Sequence, residues 1–80
     1  MEKDGLYRLS LYEECLGVLN DLHIKDGLMI ARIGKISLLL PIEMEEKMRP
    51  HIGKRISVLR TDIPEKQYLF RVISDQEEDG

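Results

Sequence analysis

The segment Pro41–Arg49 reads as one short helix set between runs that alternate apolar and polar residues. That order of elements limits the folds open to the chain more than any other feature. Pro41 suits a helix start, where no amide partner is required. Glu43, Glu45 and Glu46 lie near the positive end of the helix dipole, with Lys47 and Arg49 near the negative end. Glu43 and Lys47, and Glu45 and Arg49, are spaced as favourable i,i+4 ion pairs. Pro41, Met44 and Met48 make one apolar stripe, suited to plugging an end of a sheet. Pro50 disfavours helical geometry at Arg49, so the helix is expected to stop there.

The flanking runs read as strands. Lys25-Asp26-Gly27 is a hairpin turn, because Asp-Gly supplies positive φ angles. Leu28–Ile33 follows as a strand, Gly34-Lys35 turns again, and Ile36–Leu40 is the next strand. After the helix come Arg55–Thr61, a turn at Asp62-Ile63-Pro64-Glu65, and a last strand over Tyr68–Ile73. Leu6–Ile24 admits two readings. Ser10 with Glu13 matches a helix capping box ahead of Leu9, Tyr12, Leu16, Leu19 and His23 at helical spacing. Against that, Leu16, Val18, Asn20, Leu22 and Ile24 alternate as a half-buried strand does. We favour a long bent strand from Glu13 to Ile24, in which Gly17 permits sharp coiling. The residues ahead of it then form a helical turn or an added strand.

Strand, strand, strand, helix, strand, strand resembles the oligonucleotide/oligosaccharide-binding (OB) fold, a small five-stranded barrel with one short helix between strands three and four. The resemblance rests on element order and implies an all-β domain, residues 1–80, with nucleic acid or protein partners. An SH3-like barrel lacks that helix. A Sm-like barrel carries its helix ahead of the strands, so a helix over residues 10–22 would instead indicate a Sm-like or α+β fold.

Hydrophobic residues make up 42% of the chain and charged residues 34%, the balance of a globular protein rather than a disordered one. The longest apolar stretch, Leu38–Ile42, is too short to span a membrane, and the first residues lack a secretory pattern. The single cysteine, Cys15, leaves no internal disulfide, which fits a cytoplasmic protein. At 80 residues the core is marginal, and association is a natural source of further stability. Residues 25–73 hold ten basic and six acidic side chains, a net +4, whereas 1–24 carry −3 and 74–80 carry −4. The ends, 1–5 and 74–80, read as frayed, the second as an acidic solubilising tail.

No catalytic, cofactor or metal pattern stands out, and the expected role is non-enzymatic, without a small-molecule substrate. Glu43, Glu45 and Glu46 diverge on a short helix, whereas acid–base work needs converging carboxylates. Cys15, His23 and His51 lack zinc-ligand spacing, and Cys15 reads as a small buried hydrophobe. Gly27, Gly34 and Gly53 match no phosphate-cradling pattern. Arg60-Thr61-Asp62 reads as a strand end with an Asp turn.

The most suggestive cluster is Arg49, His51, Lys54, Arg55 and Arg60, a stretch free of acids. A nucleic-acid site wants cations on one face to neutralise phosphates and aromatic rings on which bases stack. Candidates for such contacts are Arg32, Lys35, Lys54, Arg55, Arg60, Arg71 and Tyr68. On a regular strand Arg55 and Arg60 face opposite ways, and a bulge near Ser57 would be needed to align them. Acidic pI and scarce aromatics favour instead a protein-interaction or subunit module, with a protein partner or self-association through strand edges or apolar ends. The expected core is Ile30, Ile36, Leu38, Leu40, Met44, Ile56, Val58 and Phe70.

Overall fold

The structure is a computed structural model in which residues 6–73 are described, so the expected frayed ends lie outside the described residues. It is mostly β, with one short helix. In chain order the strands are β1 (Leu6–Tyr7), β2 (Glu14–Lys25), β3 (Leu28–Ile33), β4 (Ile36–Pro41), β5 (Arg55–Arg60) and β6 (Tyr68–Val72). They form one sheet in the order β1-β4-β3-β2-β5-β6. All neighbours are antiparallel except β1 and β4, which run parallel. Among the described residues the sheet does not close, since β1 and β6 stand at opposite ends of that order.

The long strand β2 belongs to both wings of this sheet. Its first half, Glu14–Val18, pairs with β5, and its second half, from Leu19, pairs with β3. The register breaks between Leu19 and Asp21. The extra residue there, Asn20, reverses which parity faces inward. Cys15 and Leu19 are therefore buried before the break and Leu22 after it, while Leu16 and Val18 turn to solvent. The regular alternation expected from Leu16 to Ile24 is thus corrected in its first half. Gly17 serves close approach: a Cβ there would lie 3.1 Å from Ile33 Cγ2.

Ser10 and Glu13 form a turn rather than a helix start. The Glu13 amide donates to the Ser10 carbonyl (2.9 Å), and the Ser10 amide donates to the Glu13 carboxylate (2.8 Å). Tyr12, at φ 66°, takes the left-handed conformation that ends helical continuation. The capping-box pairing is real, but it closes a tight turn ahead of β2. Downstream, Asp26 and Gly27 both have positive φ, as a two-residue hairpin of the mirror-image type requires, and Gly34 opens the next turn at φ 59°.

The helical segment is one α-turn, α1 (Glu45–Met48), between 3-10 turns at Ile42–Met44 and Arg49–His51. Pro50 does not end it at Arg49. Arg49 is helical (φ −57°, ψ −41°), and the proline sits at the start of the following 3-10 turn, where no amide is needed. Glu45 and Arg49 pair as expected, with Arg49 Nε 2.9 Å from the carboxylate. Met44 and Met48 are buried against the sheet.

Leu38, Leu40, Met44, Ile56 and Val58 occupy the core as expected, with Leu9, Cys15, Leu19 and Leu22 beside them. In β3 the face is the reverse of the one expected: Met29, Ala31 and Ile33 are buried, whereas Ile30 is only half-buried on the outer side. Both parities of β3 are apolar, and Arg32 shares the Ile30 parity, which draws that face to water. Ile36 points inward at a strand end and stays exposed, and Phe70 is half-buried against the core rather than enclosed by it.

Candidate functional site

The seven residues nominated for nucleic acid do not make one surface. β5 pairs with β2 and β6 in unbroken register, so no bulge intervenes near Ser57. Arg55, Ser57 and Leu59 therefore face outward, and Ile56, Val58 and Arg60 face inward. Arg60 turns toward the core side, where its Nη1 donates to the Leu9 carbonyl (3.2 Å) and its guanidinium carbon lies 5.3 Å from the centre of the Tyr68 ring. Tyr68 packs against the core on the same side. Arg60 and Tyr68 thus leave the outer basic face. Arg32 lies on the outer face of β3, opposite Asp21 on β2 and Ser37 on β4, in the other wing of the sheet.

Three of the seven flank one segment of β2. The Gly34 amide donates to the Val18 carbonyl (2.9 Å), and the Leu19 amide donates to the Lys54 carbonyl (2.9 Å). Asn20 also donates to the Gly34 carbonyl (3.1 Å). Lys35 and Lys54–Arg55 are thereby brought from two loops to either side of the Val18–Leu19 segment, and all three are exposed. Arg71 joins them across the strands, because it is opposite Ser57 and therefore diagonal to Arg55 on the outer face.

That same outer face carries an apolar surface. One row across β2, β5 and β6 is Leu16, Ser57, Arg71, and the next is Glu14, Leu59, Leu69. Leu16 is 58% exposed and Leu69 41%. The Ser57 hydroxyl, nearly buried, donates to the Glu14 carboxylate. A cleft of about 410 Å3 runs beside Leu59, Leu69 and Arg71. Sequence alternation missed this surface because Leu16 and Val18 share a parity with Leu22 until the break at Asn20 separates them. Leu69 could have been found: it lies between Tyr68 and Phe70, which face the core.

β6 also bounds the sheet. The Ile73 amide donates to the Arg55 carbonyl (2.8 Å) and the Thr61 amide to the Gln67 carbonyl (2.8 Å). By the antiparallel alternation, residues 67, 69, 71 and 73 direct their polar groups at β5. The amides of Tyr68, Phe70 and Val72 then point to the open side, where β6 has no strand partner among the described residues.

Other candidate chemistry finds no support in the geometry. Among the described residues no group of three or more His, Cys, Asp or Glu side chains is placed to hold a metal ion. His51 lies against Phe70, with ring centres 5.8 Å apart. Cys15 is buried, and burial, followed by the Glu13 charge, pushes its thiol above the ordinary value, away from the reactive thiolate. No helix among the described residues is long and apolar enough to cross a membrane. No protein-family model matches the chain, and neither a curated protein nor a solved structure gives a significant match.

Proposed function

We propose that the chain is a non-enzymatic interaction module with an OB-like framework, working as a subunit that pairs with a second copy of itself through β6. Supporting the framework are the pairing order β4-β3-β2-β5-β6, the helix between β4 and β5, and β2 shared by both wings. In this reading the five strands after β1 make a barrel left open along one seam. The observation that carries the association is the edge of β6, open among the described residues, with three outward amides and Leu69 exposed on the same strand, while Leu16 and Val18 extend the exposed apolar face two strands away on β2. Unpaired edges of this kind accept further strands, main-chain bonds supplying affinity and the flanking apolar face adding burial.

Sedimentation equilibrium across micromolar to millimolar protein tests it. A monomer–dimer equilibrium is expected, and Val72→Pro and Leu69→Lys should each shift it to monomer. Val72→Pro removes an outward-facing amide that takes no part in pairing with β5, so folding should survive it. A wild-type chain that stays monomeric throughout overturns the reading.

A second reading, single-stranded nucleic acid binding, is favoured by the exposed cations Lys35, Lys54 and Arg55 flanking the Val18–Leu19 segment, with Arg71 diagonal to Arg55. Fluorescence titration with single-stranded DNA and RNA tests it: binding should weaken steeply with salt and fall further in Lys54→Ala and Arg55→Ala. Absence of binding at low salt removes it.

A further inference from the structure

The inner side of the seam offers a different chemistry from the outer face. Between β4 and β6 lies a cleft of about 220 Å3, into which Arg8, Arg60, Gln67 and Tyr68 bring polar groups while Leu39 and Leu40 supply an apolar wall. Among the described residues no carboxylate lines it. Two guanidinium groups sharing one cleft without an acid repel each other, and the arrangement is relieved by a bound anion.

Arg60 is held ready for one. Its Nη1 is engaged by the Leu9 carbonyl, and its plane is supported by the Tyr68 ring. Its Nε is buried and has no hydrogen-bond partner among the described residues. A guanidinium carries five donors in a fixed fork. With Nε out of reach of the cleft, Nη2 is the donor that an anion lying in it can meet. Arg8, exposed at the mouth of the cleft, adds the second positive charge. The leucine wall selects among anions: it favours a carboxylate bearing a short hydrocarbon chain over a fully hydrated inorganic oxyanion.

We propose that this seam is a binding site for short aliphatic carboxylates, the carboxylate held by Arg60 and Arg8 and the chain lying against Leu39 and Leu40. The site belongs to a single copy of the chain; Tyr68, which lines it, also offers its amide on the open side of β6, so pairing with a second copy would compete with the anion.

The test is an NMR titration of the 15N-labelled chain with hexanoate at constant ionic strength, run below the concentration of any self-association. Saturable shifts are expected at the Nε–H groups of Arg8 and Arg60, the Gln67 side-chain amide and the Tyr68 backbone amide, with a dissociation constant on the order of 1 mM. Hexanamide, equal in size but neutral, should not saturate these signals, and inorganic phosphate should bind at least several-fold more weakly. Arg8→Gln alters an exposed side chain, so its spectrum should remain folded while hexanoate affinity falls about tenfold. Arg60→Lys keeps a charge but loses the fork and should weaken binding comparably. No saturable shift with hexanoate, equal binding of hexanamide, or unchanged affinity in Arg8→Gln would each overturn the site. Phosphate binding as tightly as hexanoate would overturn the assignment to aliphatic carboxylates.

Discussion

The sheet ends in two ways. At one end β4 is partly covered: β1 lies alongside Ser37 and Leu38, and the strand runs out at Pro41, which has no amide to offer. At the other end β6 presents the amides of Tyr68, Phe70 and Val72 with no strand beside them among the described residues. β4 and β6 run in the same direction, as the alternating pairings between them require. A two-residue strand and one proline thus blunt one edge, while among the described residues no strand covers the other.

The packing beneath the two edges differs in the same sense, and this gives the largest expected effect. Leu38, under the covered edge, is fully enclosed, whereas Phe70, under the open edge, is half-buried. Leu38→Ala should cost about 2–5 kcal/mol, enough to unfold much of so small a protein. Phe70→Ala removes a larger side chain but should cost only about 1–2 kcal/mol, because part of that ring already faces water and its site is not enclosed on every side. Urea denaturation of both variants checks the ranking. Equal losses would mean that the open edge is packed as tightly as the covered one.

Between the two wings sits Gly17, where β2 passes from one partner strand to the other. Gly17→Ala would press a methyl group to 3.1 Å from Ile33 Cγ2, closer than ordinary contact. A loss of about 1–2 kcal/mol is expected from this overpacking. An unchanged denaturation midpoint would show that the wings move apart easily, and that their relative placement is not fixed at this crossing.

The strands, hairpin turns and helix position were legible in the sequence because each rests on local chemistry. Asp26-Gly27, Gly34 and the glutamate-to-lysine gradient of Pro41–Arg49 all act within a few residues. What misled was parity, which tertiary pairing decides. Asn20 inserts one residue opposite β3 and sends Leu16 and Val18 outward, and nothing in the Leu16–Ile24 alternation marks the break. In β3, Met29, Ala31 and Ile33 compete with Leu28 and Ile30 as an apolar face, and only Arg32 discriminates. The candidate basic site suffered similarly. The opposed directions of Arg55 and Arg60 were readable from strand period, but the placement of Lys35 and Lys54 on either side of β2 depends on hydrogen bonds between segments far apart in the chain.

Hydrogen exchange sharpens the edge comparison at smaller cost to the molecule. In β6 the amides of Leu69 and Arg71, aimed at β5, should exchange slowly, while those of Tyr68, Phe70 and Val72 should exchange near the unprotected rate in dilute solution. If β6 pairs with a second copy, the second set should gain protection as protein concentration rises. Uniform protection of all five amides at low concentration would show that the β6 edge is covered within one chain after all.

The smallest effect concerns what keeps β1 in place on the covered edge. The Tyr7 hydroxyl donates to the Glu13 carboxylate, tying β1 to the turn ahead of β2. This bond, with the Ser10 amide second, holds the Glu13 carboxyl below its ordinary value of 4.5. The same bond raises the Tyr7 phenol above its ordinary value of 10.0. A depressed carboxyl stabilises the fold above its ordinary value and loses that contribution as pH falls through the lowered one. A raised phenol stabilises the fold below its ordinary value and loses that contribution as pH rises through the raised one. The difference in stability between the wild-type chain and Glu13→Gln should therefore be flat from about pH 5 to pH 9 and shrink on both sides. Both groups are at the surface, so the difference should be small and should diminish in high salt. Thermal denaturation of the two chains across that range measures it. A difference that persists undiminished below pH 3 would mean that Glu13 acts through the shape of its side chain rather than its charge, and that β1 is held by its pairing with Ser37 and Leu38 alone.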